Sequence, residues 1–141
     1  MAPTTFTDAD RALFDRRLYG LITVSPAGAR LPAPRPVWFE ATPDGDLQLF
    51  SLAGSLKVRR LAEDPQATFV VATPPGEPEA WVSVEADATV HDDGGRELAD
   101  RLTDRYWEDE GKRAESKAIW AAEDLRRIVL RPRRVTRGPA V

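Results

Sequence analysis

The stretch of sequence that decides the fold runs from Arg35 to Val71 and is RPVWFEATPDGDLQLFSLAGSLKVRRLAEDPQATFVV. Two segments rich in apolar and aromatic residues, Pro36–Glu40 and Leu47–Leu52, predict a pair of strands. The turn signal Pro43-Asp44-Gly45-Asp46 lies between them, and its glycine is free to adopt a positive φ. We therefore expect a β-hairpin over these residues.

The second half of the same stretch predicts a short helix and a further strand. Gly54-Ser55 opens the helix, Leu56–Glu63, which ends at Asp64-Pro65 because the residue before a proline avoids helical dihedral angles. The apolar run Ala67–Ala72 then indicates a strand in the interior of a sheet.

Further elements are predicted on both sides of this stretch. Upstream, Thr7-Asp8-Ala9-Asp10 resembles a capping box at the start of a helix, and Tyr19–Val24 is a strand followed by a turn at Ser25–Arg30, SPAGAR. Downstream, the predicted order is a strand at Ala80–His91, a helix at Arg96–Trp107, a loose segment at Glu108–Arg113, a short helix or irregular segment at Glu115–Leu125, and a strand at Arg127–Val135. About six strands with peripheral helices predict an α+β fold built on a small antiparallel barrel, in one domain over residues 1–141.

Composition narrows the class of protein. The 141 residues include no cysteine, which excludes disulfides and thiolate metal sites, and the N-terminus lacks the basic and apolar regions of a signal peptide. No apolar run approaches the roughly 20 residues of a membrane span. The single histidine, His91, lies beside two aspartates in a turn, so we expect no metal site and no histidine-based catalytic triad. These features predict a cytoplasmic protein without a membrane partner.

Positive charge is concentrated at the C-terminal end. Residues 126–141 hold six arginines and no acid, while the rest of the chain carries 14 of the 20 Lys and Arg side chains and all 23 acidic ones, a formal charge of −9. A basic tail could bind a polyanion such as nucleic acid. The alternation of apolar and basic residues in IVLRPRRV favours a half-buried strand with its arginines in water, and we expect no nucleic-acid partner.

The start of the helix after the hairpin is a candidate anion site. Helix N-termini present unpaired N–H groups and a partial positive charge, and here Ser55 and Lys57 accompany them. Arg59 and Arg60 follow on the same helix. The alternative interpretation is that Ser55 only caps the helix and that the basic residues form a solvated face; the local sequence leaves both open.

The tryptophans also have two interpretations. Trp38 and Trp81 lie in predicted strands, where they either fill the core or line a pocket for a planar cofactor. Trp107 and Trp120 are expected to pack against helices or at a dimer surface. No side chain is assigned a catalytic role, so an enzyme with this sequence would depend on a cofactor for its chemistry.

The order PVWF, DG, a strand ending in Ser51, GSLKVRRL and EDP resembles the pyridoxamine 5′-phosphate oxidase-like, FMN-binding split-barrel superfamily. Within it, the chain is most similar to the small actinobacterial oxidoreductases that use the deazaflavin F420. The resemblance implies a six-stranded antiparallel split β-barrel and a homodimer with cofactor sites at the subunit interface. The cofactor-binding residues that it implies are Pro36, Val37, Trp38 and Phe39 for the ring, Ser51, Ser55, Leu56, Lys57 and Arg60 for the phosphate, and Trp81 from the partner.

The function implied by the resemblance is hydride transfer between reduced F420 and a small planar organic substrate. Two alternatives keep the fold: an FMN-dependent oxidoreductase, and a carrier that binds flavin or F420 without turnover. A polyanion-binding role for the arginine-rich end is a further alternative. Lys57 is expected to be exposed in the protein without cofactor.

Overall fold

The first helix begins at its predicted capping box. In the computed structural model, which describes residues 5–139, the Thr7 hydroxyl accepts the N–H of Asp10 at 3.1 Å and the Asp10 carboxylate accepts the N–H of Thr7 at 2.9 Å. These two bonds satisfy donors that a helix start leaves unpaired. Helix α1 then spans Asp8–Phe14.

The described residues form an α+β fold, as predicted, and its strands form a single curled antiparallel sheet in the order β2-β1-β5-β6-β7-β4-β3. After α1, the elements are β1 (Gly20–Val24), β2 (Arg35–Val37), β3 (Glu40–Ala41), β4 (Leu47–Leu52), α2 (Leu56–Glu63), β5 (Gln66–Ala72), β6 (Trp81–His91), α3 (Gly95–Tyr106), α4 (Glu110–Ala121) and β7 (Leu125–Gly138).

The sheet within residues 5–139 has seven strands where six were predicted, because the expected strand Pro36–Glu40 is interrupted. Its first part, β2, pairs with β1, and its second part, β3, pairs with β4 at the opposite end of the sheet. Only Trp38 and Phe39 separate the two parts. Since three Cα steps span at most about 10 Å, the sheet must curl until its two ends are neighbours.

The inside of the curl is a core of aliphatic and aromatic side chains. The ring of Phe39 contacts those of Phe14 and Phe69 edge-on, with centroids 6.1 and 5.0 Å apart. Gly20 lies against this cluster, and a Cβ at Gly20 would be 2.0 Å from the ring of Phe69. The close approach of β1 to the core therefore requires glycine at this position.

The helical segment before the last strand differs from its prediction. Glu108–Arg113 was expected to be loose, but α4 begins at Glu110 because the Asp109 carboxylate caps it, accepting the N–H of Lys112 at 2.8 Å. The helix ends at Ala121, so the expectation of a helix or irregular segment over Glu115–Leu125 was wrong at both boundaries.

The arginine-rich end is a strand, as its alternation predicted. Strand β7 pairs with β6 on one side and β4 on the other. Most of its arginines reach carboxylates: Arg126 pairs with Asp92 and Asp124, Arg127 with Asp93, Arg133 with Asp87, Arg134 with Glu85, and Arg137 with Asp10. These ion pairs leave little of the positive charge of β7 unpaired. No helix within residues 5–139 has the length and apolar character needed to cross a membrane.

Candidate functional site

The sheet leaves two unpaired strand edges facing the same space. Strand β2 is at one end of the sheet and pairs only with β1. Strand β3 covers only Leu47 and Gln48 of β4, so the rest of β4 up to Leu52 has no strand on that side. Two cavities lie along this gap, and each is lined by residues of both β2 and β4.

The first cavity has a volume of about 700 Å³ and a basic lining. Its cationic residues are Arg30, Arg35, Lys57 and Arg60, and none of its lining residues is a carboxylate. The other lining residues are Ile22, Val24, Ser25, Pro26, Ala27, Leu31, Ala33, Ser51, Ser55 and Leu56. An apolar cavity of this size with few polar groups and one sign of charge is suited to an anionic organic ligand.

The wall formed by the start of α2 follows from local sequence. Ser55 is the N-cap, and its hydroxyl accepts the N–H of Val58 at 3.2 Å. The hydroxyl of Ser51, at the end of β4, lies 2.9 Å from that of Ser55. At the other end of the helix, the Ser25 hydroxyl donates to the Asp64 carboxylate at 2.5 Å. These bonds fix α2 against both β4 and β1 beside the cavity.

Lys57 is half-buried, so the expectation that it is exposed was wrong. Burial lowers the pKa of its ammonium group from the ordinary value of 10.5, and no neighbouring charge contributes to the shift. The group also lies in the first turn of α2, where the helix dipole disfavours a cation. A bound anion would offset both unfavourable effects.

Arg60 presents a second unsatisfied cationic group. Its Nη1 donates to Glu63 at 2.9 Å, but its Nε is buried and has no acceptor within residues 5–139. A buried donor left without an acceptor costs about 1–3 kcal/mol. This Nε is inaccessible from the cavity, so a ligand in the first cavity would contact the exposed part of the guanidinium, which is paired with Glu63.

The second cavity, of about 500 Å³, is aromatic. Its lining residues are Tyr19, Pro36, Val37, Trp38, Phe50 and Trp120. The Trp38 ring stacks on Tyr106 with centroids 5.2 Å apart and planes 6° apart, and Tyr106 in turn stacks on Tyr19. The Nε1 of Trp120 is buried without an acceptor in the described part of the chain. Aromatic rings around a cavity are suited to a planar heteroaromatic group.

Tyr106 holds the break between β2 and β3 in place. Its hydroxyl donates to the Leu18 carbonyl at 2.6 Å and accepts the N–H of Phe39 at 3.4 Å. Burial raises the pKa of Tyr106, so the hydroxyl stays protonated and able to donate. The break in the predicted strand frees the backbone N–H of Phe39 from strand pairing, and the Tyr106 hydroxyl accepts this N–H instead.

The structure divides the ten predicted site residues into three groups. Ser51, Ser55, Leu56, Lys57 and Arg60 line the basic cavity, and Pro36, Val37 and Trp38 line the aromatic one. Phe39 is fully buried in the core, backbone included, and lines neither cavity. Trp81 lies in neither cavity; it begins β6, opposite Ala72 and Gly138.

Arg30 and Arg35 line the basic cavity but were not predicted. The segment around them was interpreted as an ordinary turn because of its glycine and prolines. Its length is the signal that could have identified it, since ten residues separate Val24 from Arg35 and hairpin loops usually have two to five. Tyr106 was missed as well, because its hydrogen bonds join residues far apart in sequence.

No group of three or more His, Asp or Glu side chains within residues 5–139 is placed to hold a metal ion. The polar and aromatic groups of the candidate site are its cations, its hydroxyl groups and its aromatic rings.

Known proteins share this architecture. A protein named F420 reductase is 20% identical, with a TM-score of 0.71 over 93% of this chain and 98% of its own. An FMN-binding protein from Nostoc punctiforme PCC 73102, related to pyridoxamine 5′-phosphate oxidase, is 15% identical, with a TM-score of 0.66 over 96% and 85%. The heme storage protein from Vibrio cholerae is 13% identical, with a TM-score of 0.68 over 94% of each chain.

At these identities, structural similarity shows the fold alone, and the three neighbours differ in what their names say they bind. No functionally curated protein matches the sequence. The sequence itself, however, matches the family described as pyridoxamine 5′-phosphate oxidase over residues 6–137. That match covers nearly the whole chain, and the chain therefore belongs to the pyridoxamine 5′-phosphate oxidase family.

Proposed function

We propose that this protein is an F420-dependent oxidoreductase that binds its cofactor in the gap between β2 and β4. The observation that carries the proposal is the basic cavity, which is lined by four cations and no carboxylate and in which half-buried Lys57 lacks an anionic partner. The resemblance of the sequence to F420 enzymes and the structural neighbour named F420 reductase support the choice of cofactor.

The residues of the basic cavity fit a phosphate group. Lys57 would be its main cation and Arg60 a second one. The hydroxyls of Ser51 and Ser55 are bonded to each other, so one of them donates within that pair and the other would donate to the phosphate. Leu56 would contribute apolar contact from the same turn. The backbone N–H groups at the start of α2 add to the attraction for an anion.

The residues of the aromatic cavity fit the cofactor ring. Pro36 and Val37 lie on β2, whose outer edge is unpaired, and Trp38 follows directly, so the free backbone groups of this edge are available to a ring with donors and acceptors. When bound, a reduced deazaflavin supplies a hydride to a planar unsaturated substrate. The protein's part is to bind and orient both molecules and to exclude water from the gap.

We propose further that the protein acts as a homodimer, with Trp81 of the partner subunit completing each site at the subunit interface. Large apolar side chains remain exposed around the gap: Leu31, Leu52 and Leu56 are 86%, 42% and 51% accessible. Burial of these residues by a second subunit would stabilise the dimer and narrow the cavity entrance. Sedimentation equilibrium would measure the association directly.

An FMN-dependent oxidoreductase is the second candidate, because the same cations suit the phosphate of FMN and one structural neighbour is named as FMN-binding. Titration of the purified protein with F420 and with FMN, followed by absorbance and fluorescence, distinguishes the two. We expect tighter binding of F420, and oxidation of reduced F420 by a member of a panel of planar enones and quinones. Binding without any hydride transfer would favour a carrier, and failure to bind either cofactor would overturn the proposal.

A further inference from the structure

We propose that Arg30 and Arg35 form a second anion subsite, which selects a cofactor that carries negative groups in addition to its phosphate. This inference rests on the proposed function and names the residues that would distinguish F420 from FMN. Arg30 lies on the segment between β1 and β2 and Arg35 is the first residue of β2; both line the same cavity as the α2 residues that would bind the phosphate.

The two arginines have no carboxylate partner among the described residues. The Arg35 guanidinium makes one long hydrogen bond, 3.4 Å, to the carbonyl of Pro34. The Arg30 side chain makes none, and only its backbone N–H is bonded, to Ala27. In contrast, five of the six arginines of β7 pair with aspartate or glutamate. The cavity arginines are therefore free to bind a ligand.

The charge of the cavity exceeds what one phosphate neutralises. The phosphate of FMN is a monoester with a charge of about −1.5 to −2 at neutral pH, and that of F420 is a diester with a single ionised oxygen, which Lys57 matches. Arg60 is already paired with Glu63 at 2.9 Å. Arg30 and Arg35 then remain as two unneutralised cations that face the same space. Further carboxylates on the ligand would neutralise them, and the side chain of F420 bears such carboxylates whereas that of FMN does not.

The cavity also has room for more than a phosphate. Its volume of about 700 Å³ lies in the range of about 300–1,000 Å³ that holds drug-sized ligands. Its β1–β2 wall has a restrained backbone, since Arg35 lies between Pro34 and Pro36 and both rings fix φ. A guanidinium held on such a backbone loses less conformational entropy when a ligand binds.

The test compares the affinities of two cofactors in three variants. Arg30→Ala with Arg35→Ala, together, should lower the affinity for F420 at least about tenfold, equivalent to about 1.4 kcal/mol, and reduce its dependence on salt. The affinity for FMN should change less than about threefold, equivalent to about 0.65 kcal/mol. Arg59→Ala is the matched control, because Arg59 is an exposed cation on α2 outside this cavity. It should leave both affinities unchanged, and Lys57→Ala should lower both.

Each other outcome decides against the inference. If the double variant binds F420 as the parent does, the second subsite is overturned while the proposed function stands. If it loses the two cofactors equally, the arginines act on the shared phosphate and do not select. If the parent protein binds neither cofactor, the proposed function falls and the subsite falls with it. Thermal melts of each variant confirm that the fold is retained.

Discussion

Burial removes water from the Lys57 ammonium group, and its place in the first turn of α2 sets it against the positive end of the helix dipole. A residue placed this way destabilises the protein without ligand and stabilises the complex. Active sites commonly combine these two properties, since a group positioned for a ligand is unsatisfied in its absence.

Lys57→Met should therefore stabilise the ligand-free protein. Methionine fills similar volume, has high helix propensity and removes the desolvated charge. We expect the free energy of unfolding to rise by about 0.3–1 kcal/mol, the size of a charge–dipole effect, in urea titrations. Arg59→Met, at an exposed position of the same helix, is the control and should change stability less. A Lys57→Met protein less stable than both parent and control would contradict the account of Lys57.

The lowered pKa of Lys57 also predicts a pH dependence. Between that pKa and the ordinary 10.5 the unfolded chain binds more protons than the folded one, so the stability of the ligand-free protein rises with pH across this window. The affinity for a phosphate-bearing cofactor falls over the same window, because the amine loses the charge that binds it. Titrations between pH 7 and 10 should show this loss in the parent and not in Lys57→Met.

At the scale of elements, the sequence predicted those boundaries of helices and strands that depend on residues close together in the chain. Strand β4 and helix α2 have their predicted bounds, because the Asp44-Gly45 turn, the Ser55 cap and Asp64-Pro65 each act within a few residues. The interruption of Pro36–Glu40 could not be predicted in this way. It depends on the closure of the sheet and on Tyr106, which follows Phe39 by 67 positions.

Tyr106→Phe tests that dependence. The substitution removes the hydroxyl that joins Leu18 to Phe39 and leaves the Phe39 N–H without its partner, at a cost of about 1–3 kcal/mol in the free energy of unfolding. The ring stack on Trp38 is retained. Chemical denaturation would measure the loss, and hydrogen exchange of the Phe39 amide should accelerate. Unchanged exchange at Phe39 would show that Tyr106 does not hold the break between β2 and β3.

In the candidate site, too, one side could be predicted from the local sequence and the other could not. The α2 side of the basic cavity could be predicted because the residues that line it lie within ten positions, Ser51 to Arg60. The β1–β2 side could not, since Arg30 and Arg35 reach the cavity only when β2 pairs with β1 and the sheet curls. Sequence patterns predict the strands but not the curvature of the sheet that brings the two sides of the cavity together.

At the scale of the whole molecule, one ion pair ties the two ends of the described chain. Asp10 in α1 is almost fully buried, and its carboxylate accepts bonds of 3.0 and 2.6 Å from Arg137 near the end of β7. Burial alone would raise the pKa of Asp10, but the bonds from Arg137 and Thr7 outweigh it and hold the pKa below 3.8. The pair fixes α1 across the end of the barrel.

Asp10→Asn should lower the free energy of unfolding by about 1.5–3 kcal/mol, the contribution of hydrogen bonds to charged groups. In the parent, the contribution of Asp10 is complete above pH 3.8 and is lost as the pH falls through its lowered pKa. Urea unfolding of parent and variant should therefore show a stability difference that is full at pH 7 and narrows as the pH falls below 3.8. Asp8→Asn, at an exposed position of the same helix, is the control, and an equal loss in both variants would contradict this role for the pair.

The central claim is that the basic cavity binds the phosphate side chain of a flavin-type cofactor through Lys57. Isothermal titration of the parent and of Lys57→Ala, each with F420 and with its phosphate-free deazaflavin chromophore, tests it most directly. The account predicts that the parent binds F420 more tightly than the chromophore and that this preference largely disappears in Lys57→Ala, with the affinity for the chromophore unchanged. A parent that binds both equally, or a variant that keeps the full preference for F420, would contradict the claim.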